Sequence, residues 1–363
     1  MILTEKYKAN YLAGFDCRMA TFRNNMAFYG HTLSNGMVLG MSGCLSFIYG
    51  TPEKNRIPYY TAVGITDQTL EGLSSIFDTY IIREKFDFEN KKNILTTLKK
   101  NLTNNVLVNA AINRPFLNHL RTGKKKSDFK IEPSNIGFHY VTITEIKGNS
   151  ITFFETDYRK PLTYDFDTFI ELWFFDKVHK RKIVDPHQMC DGKYYTILPP
   201  TIKANQDKFC ILFAINKVAT SFLVSEKEHY YHGIKGIKIF FEEVQNWNEL
   251  TDKDTLINSI FFLRILEKNL SGGGFGRKLY SFFLSEAASV LADDNLKSIA
   301  IEFRNTSKLW ANFIAKITTV ENIENIAKND FTVFKKTAKS YANKIISAEQ
   351  KQFEKLKKWV DAK

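Results

Sequence analysis

The sequence is poor in cysteine and has no C-x-x-C pair: only Cys17, Cys44, Cys190 and Cys210 occur among 363 residues. That argues against a disulfide framework, which a chain of this length does not need, and against a structural zinc site. No stretch approaches eighteen uninterrupted apolar residues, so no membrane-spanning helix is expected. The first twenty residues carry Glu5, Lys6, Lys8 and Asp16 and lack an apolar h-region. No secretory signal is visible there, and a cytoplasmic protein is expected. Internal repeats and low-complexity tracts are absent as well.

What is present is an ordinary globular composition, 44% apolar and 25% charged, with 31 phenylalanines to build core and pocket walls. The length exceeds one ordinary core and suits two domains. A net charge of +12 favours acidic partners through long-range steering. Nucleic acid and a small acidic carrier protein both satisfy that charge, as does a merely solvated lysine-rich surface. No nucleic-acid recognition motif accompanies the charge, so nucleic acid is not the expected partner.

Residues 17–29 place Met19, Phe22, Met26 and Tyr29 near helical spacing, and Gly30 is a natural stop. Ser34 is a good cap for a second helix that Gly36, Gly40 and Gly43 loosen. Residues 66–100 read as helical, and 104–112 as a buried strand. Residues 120–137 are turn-rich and basic, hence a surface loop. The stretch 138–157 reads as two strands joined at Lys147-Gly148-Asn149, and 165–174 as a short helix. A shift between Pro186 and Pro200 marks the expected domain boundary, giving domains 1–190 and 191–363. Beyond it the pattern is mostly helical, over 207–224, 231–247, 251–269, 276–294, 295–318, 320–330 and 337–362. The expected fold class is α+β, with a mixed first domain and a mostly helical second one.

"SGGGFGRKLY" (271–280) invites comparison with a phosphate-binding loop, but Arg277-Lys278-Leu279 follows Gly276 where Lys and then Ser or Thr are required. A turn entering a helix is the better reading. His229 and His232 are three apart in "HYYHG", yet no carboxylate or cysteine is spaced to complete a metal shell. His187 and Cys190 lie in an irregular segment, and His31 and His179 sit in polar surroundings. No metal and no cofactor is expected.

The remaining constellation is Cys17, His139 and Asp157. Thiol-dependent acyl transfer needs a thiolate, an imidazole that shuttles protons, and a group that orients the imidazole. Cys17 stands where a helix begins, and the positive end of the helix dipole stabilises an anion there. His139 starts one strand and Asp157 ends the next, so an antiparallel pair brings them to the same end of a sheet. If that register is misjudged, Glu155 takes the place of Asp157. Helix-cysteine, strand-histidine, next-strand-acid is the papain-like order. The competing reading of Cys17 is an inert core filler, as expected for Cys44, Cys190 and Cys210.

At these residues the chain resembles a known family. "DCRMATFRNNMAFYGHTLSNGMVLGMSGCLSFIYG" is similar to the N-terminal motif of the butirosin-biosynthesis H protein family. "GFHYVTITEIKGNSITFFETD" resembles that family's histidine strand and its acid-bearing partner, and "YHGIKGIKIFFEEVQNW" and "GGGFGRKLYSFFLSEAA" its helical C-terminal domain. The resemblance implies a papain-like N-terminal domain, akin to bacteriocin-processing peptidases. It also implies transfer of an acyl group from a carrier-protein thioester onto a small-molecule amine in antibiotic-type, nonribosomal peptide-like biosynthesis. A polythioamide product of the closthioamide type suits such a member. Cys17 would then be nucleophile, His139 base and Asp157 its orienter. The substrate would arrive on a phosphopantetheinyl carrier, with no bound cofactor, no metal, no nucleic acid and no membrane. A peptidase or amidase and a non-catalytic basic binding module are the rival functions. One departure is Asp16, which stands where relatives often have histidine. For the oxyanion, Asn10 is the side-chain candidate and the backbone N–H of Cys17 the other donor.

Overall fold

A computed structural model describes residues 3–14, 16–53, 59–130, 137–181, 189–223 and 230–363. Its strands, in chain order, are β1 (Leu45–Gly50), β2 (Thr61–Ile65), β3 (Ile81–Lys85), β4 (Val108–Asn113), β5 (Phe138–Lys147), β6 (Ser150–Glu155), β7 (Leu162–Asp165), β8 (Lys193–Ile197) and β9 (Tyr231–His232). The first six helices are α1 (Leu3–Asn10), α2 (Cys17–Phe28), α3 (Asn35–Ser42), α4 (Thr69–Phe77), α5 (Lys91–Thr103) and α6 (Arg114–Arg121). The fold is mixed α and β, with antiparallel sheets.

The chain divides into two compact units, and neither is continuous in sequence. The first comprises residues 1–33 and 78–201, the second 34–77 and 202–363. This corrects the division at 190. Residues 34–77 leave the first unit because β1 pairs with both β2 and β9, and residues 191–201 join it because β8 pairs with β3 and β4. Pro186 lies outside the described residues.

The first unit is built on a six-stranded antiparallel sheet of order β3-β8-β4-β5-β6-β7. The expected strand around 104–112 is β4, buried along its whole length. The expected hairpin is β5–β6, turning between Lys147 and Ser150 with Gly148 at φ 58°. At Gly148 the backbone enters the left-handed region, which a residue without Cβ adopts freely. The short helix follows as Phe166–Trp173, its first turn capped by Asp165, which accepts from Thr168 N at 2.9 Å. The continuous helix expected over 66–100 is replaced by α4, β3 and α5. Residues 81–85 are drawn into a strand by β8, more than a hundred residues later, which local periodicity cannot reveal.

Helix α2 is buried on more than its apolar stripe. Met19, Phe22 and Met26 are in the core as expected, but Thr21, Arg23, Asn24 and Asn25 are buried too. Buried polar groups need partners, and here they bind the helix to the sheet. Asn25 Nδ2 donates to Asn109 Oδ1 on β4 (3.1 Å), Thr142 on β5 donates to the same oxygen (2.8 Å), and Tyr7 OH of α1 donates to Thr142 (3.0 Å). Thr21 hydrogen-bonds the hydroxyl of Tyr195 on β8. This polar seam sets the register of α2 along the sheet, which oil-like packing would leave free to slide.

In the second unit, α3 packs on the helix Arg277–Leu291, and a Cβ at Gly40 would run into the ring of Phe283. The expected C-terminal helices are present, among them Lys208–Leu223, Gly233–Val244, Lys253–Ile265, Asp294–Ile317, Val320–Ala327 and Thr332–Asp361. The Gly-rich turn before Arg277 follows a π-helical turn, Leu266–Leu270, and wraps buried Glu267, whose Oε1 accepts from Gly274 N. A carboxylate thus occupies the backbone donor that a phosphate loop would aim at a ligand.

Candidate active site

Cys17 is the first residue of α2, half-buried, with Asp16 as the cap in extended conformation. Asp16 Oδ1 accepts from the backbone N–H groups of Arg18 (2.9 Å) and Met19 (3.1 Å), and Asp16 Oδ2 pairs with the Arg18 guanidinium at 2.8 Å. Although burial opposes ionisation, Arg18 and these N–H groups hold the Asp16 carboxyl below its ordinary range. Asp16 is therefore a capping carboxylate at the mouth of α2.

The segment before Cys17 is tied at both ends. Asn24 of α2 accepts from Leu12 N (3.1 Å) and donates to Leu12 O (3.0 Å), and the buried Arg23 donates to the same carbonyl. Toward β6, Tyr11 OH donates to Glu155 O (2.6 Å) and Gly14 N to Thr156 O (3.0 Å). These bonds fix the start of α2 against the end of β6, which is where a thiol and an acid-bearing strand must meet.

His139 lies on β5, opposite Ile112 of β4, and is only 4% exposed. Its Nε2 is 2.6 Å from Glu155 Oε1 and 2.9 Å from Thr156 Oγ1. With Nε2 turned to those groups, Nδ1 is the ring nitrogen left for the thiol. Burial alone would push the imidazole's pKa down. The hydrogen bond with Cys17 and that with Glu155 outweigh it and carry the value up to about 9. Tyr140, next along β5, also feels Cys17, and its ring packs edge-on against Tyr195 at 4.8 Å.

Cys17 and His139 are brought together as expected, and Asp157 is not the acid on the histidine. Asp157 pairs with Arg114 of α6, half-exposed, while Glu155 occupies the place beside His139. The β5–β6 register pairs Val141 with Glu155, so extrapolation sets His139 opposite Asp157. But β6 ends at Glu155, the chain turns away, and the diagonal neighbour on the same face reaches the ring instead. Glu155 Oε2 accepts from Asp157 N at 3.0 Å, so the later residue supports the earlier one's carboxylate through its backbone. Thr156 was not foreseen, and its signal is the turn that interrupts strand alternation. The exposed Asn10 amide is spent elsewhere, donating to Lys6 O at 3.2 Å at the end of α1. The N–H of Cys17 remains the oxyanion candidate of the two.

The other thiols have different settings. Cys44 and Cys190 are buried, and burial, reinforced by Asp176 and Asp191, pushes the Cys190 thiol well above its usual range. Cys210 is half-buried, its thiol raised by burial and by Asp207. His187 and His229 lie outside the described residues. His179 pairs with Glu171 at 3.3 Å and His232 sits on β9 beside Ile48. Among the described residues no group of three or more His, Cys, Asp or Glu could hold a metal, and no helix is long and apolar enough to cross a membrane.

A buried imidazole between a helix-terminal thiol and a carboxylate can pass a proton to and from a sulfur nucleophile. Residues 182–356 match a family model described as a domain of unknown function, DUF4872. No curated protein matches the chain.

Proposed function

We propose that the protein is a cysteine-dependent acyltransferase with a papain-like first unit, joining a carrier-bound acyl thioester to an amine. The observation that carries this reading is buried His139 held between Cys17 and Glu155, its pKa raised to about 9 by both. Such an imidazole is protonated near neutrality and can supply a proton to a leaving thiol. The order of thiol helix, histidine strand and acid at the end of the adjacent strand supports the papain-like assignment.

The Cys17 thiolate attacks the thioester carbonyl, and the N–H of Cys17 is the donor assigned to the oxyanion in this reading. The tetrahedral adduct collapses, the carbon–sulfur bond to the carrier breaks, and His139 protonates the departing thiol. The acyl-enzyme is then attacked by the amine. His139, now neutral, takes the amine proton, the bond to Cys17 breaks, and an amide leaves with the Cys17 thiolate and the protonated imidazole restored. Glu155 and Thr156 hold the ring through Nε2 during both transfers. Thioester exchange is nearly neutral and amide formation is downhill, so the cycle needs no nucleotide. A cytoplasmic setting suits a carrier-protein donor.

Incubation with an acyl-loaded carrier and no amine should add one acyl mass to the peptide holding Cys17, and Cys17→Ala should abolish it. Rapid discharge by water alone would mark a hydrolase, and mass on another cysteine would move the nucleophile.

A further inference from the structure

We propose that the face formed by the end of α6, the residues following it and the turn after β6 is the docking surface for an acidic acyl carrier protein. The proposal rests on the acyl-transfer reading and adds where the donor binds. Segments 114–130 and 157–160 hold eight Lys and Arg against Asp128 and Asp157; of the eight, Arg114 is paired with Asp157 and Lys126 with Glu171 of the helix Phe166–Trp173. Helix α6 ends at Arg121, Gly123 turns the chain at φ 75°, and Lys124 and Lys125 emerge exposed. The Arg121 guanidinium covers the ring of Tyr158 at 3.1 Å from its centroid, which brings Arg159 and Lys160 beside the end of α6. Among the described residues, Lys124, Lys125, Arg159 and Lys160 have no ion-pair partner. Their charge is therefore not spent within the chain.

This cationic face adjoins the candidate site through covalent and ionic links. Asp157 begins the turn, pairs with Arg114 at the start of α6, and gives its backbone N–H to the Glu155 carboxylate that holds His139. A protein docked there would present a tethered thioester at the His139 end of the sheet. Charge complementarity selects an acidic partner. Single-stranded nucleic acid fits less well, since it needs open aromatic faces for stacking and the Tyr158 ring is already covered by Arg121.

The test compares two donors on the full chain. One is an acetyl-loaded acidic acyl carrier protein, the other the acetyl thioester of N-acetylcysteamine, which has no protein to dock. Acylation of Cys17 is followed by intact mass for wild type and for Lys124→Glu/Lys125→Glu/Lys160→Glu, all exposed and outside the site. The variant should load from the carrier about tenfold or more slowly and from the small thioester at the wild-type rate. Added salt should slow carrier loading of the wild type alone. Unchanged carrier loading in the variant overturns the docking face and leaves the acyl-transfer reading intact. Equal slowing with both donors also overturns it, because the charges then act on the site itself. If neither donor acylates wild-type Cys17, the reading falls and the docking surface with it. Loss of single-stranded DNA binding with carrier loading intact would assign the face to nucleic acid and refute the proposal.

Discussion

Replacing Glu155 by Gln removes one negative charge from a buried site while keeping the side chain's size. The Glu155 carboxylate sits 2.6 Å from His139 Nε2 and is one of the two groups that lift the imidazole from 6.5 to about 9. An opposite charge at this range supports a shift of about 1–3 units, so its loss should lower the His139 value by about 1–2 units. At about 1.36 kcal/mol per unit, the imidazolium loses about 1–3 kcal/mol of its preference. The assay is NMR titration of the ring protons, with the His139 signal identified by its absence in His139→Ala. Acylation should show the same change as an alkaline limb that begins at lower pH, because the neutral ring cannot protonate the leaving thiol. Asp157→Asn should move the titration far less, since its side chain is engaged by Arg114. A His139 titration unmoved by Glu155→Gln but lowered by Asp157→Asn would refute the assignment of the orienting acid.

Features whose causes are local were legible in the sequence. Helix α2 starts at Cys17 because Asp16 caps it and stops before Gly30 at φ 92°, both within a residue of expectation. The β5–β6 hairpin was legible for the same reason, its turn carried by Gly148. Features set by distant partners were not. The exposed edge strand β3 has charges at Arg83, Glu84 and Lys85 and no apolar alternation, and only β8 makes it a strand. Likewise residues 34–77 read as a continuation of the first domain until β9, far along the chain, claims β1 for the second unit. The histidine's acid fell between these cases. The face was predictable from alternation, but where β6 ends decided between two carboxylates on that face.

Asn10→Ala should leave Cys17 acylation within about twofold of wild type, because the amide is spent on Lys6 O; a loss of about a hundredfold, the scale of a missing oxyanion donor, would return it to the site. His139 has a folded-state pKa above its unfolded value, so the stability it contributes is complete below pH 6.5 and is lost as pH rises through about 9. Urea titrations of wild type against His139→Ala should converge over that window by at most about 3 kcal/mol, and a gap that widens with pH would reverse the sign. The last prediction concerns the second unit, where Arg277 and Glu349 are both fully buried. Glu349 accepts from Arg277 Nε (2.8 Å), Trp310 Nε1 (2.6 Å) and Gln352 Nε2 (2.7 Å), while Arg277 also donates to the carbonyls of Ser46 and Phe275. Glu349→Ala strands a guanidinium that water cannot reach, and should cost about 3–5 kcal/mol in chemical denaturation. Arg277→Met/Glu349→Leu removes both charges together and should be more stable than Glu349→Ala, because the desolvation penalty disappears with the pair. A double variant less stable than that single would mean that the hydrogen bonds to Ser46, Phe275 and Trp310, rather than the unpaired charge, dominate the cost.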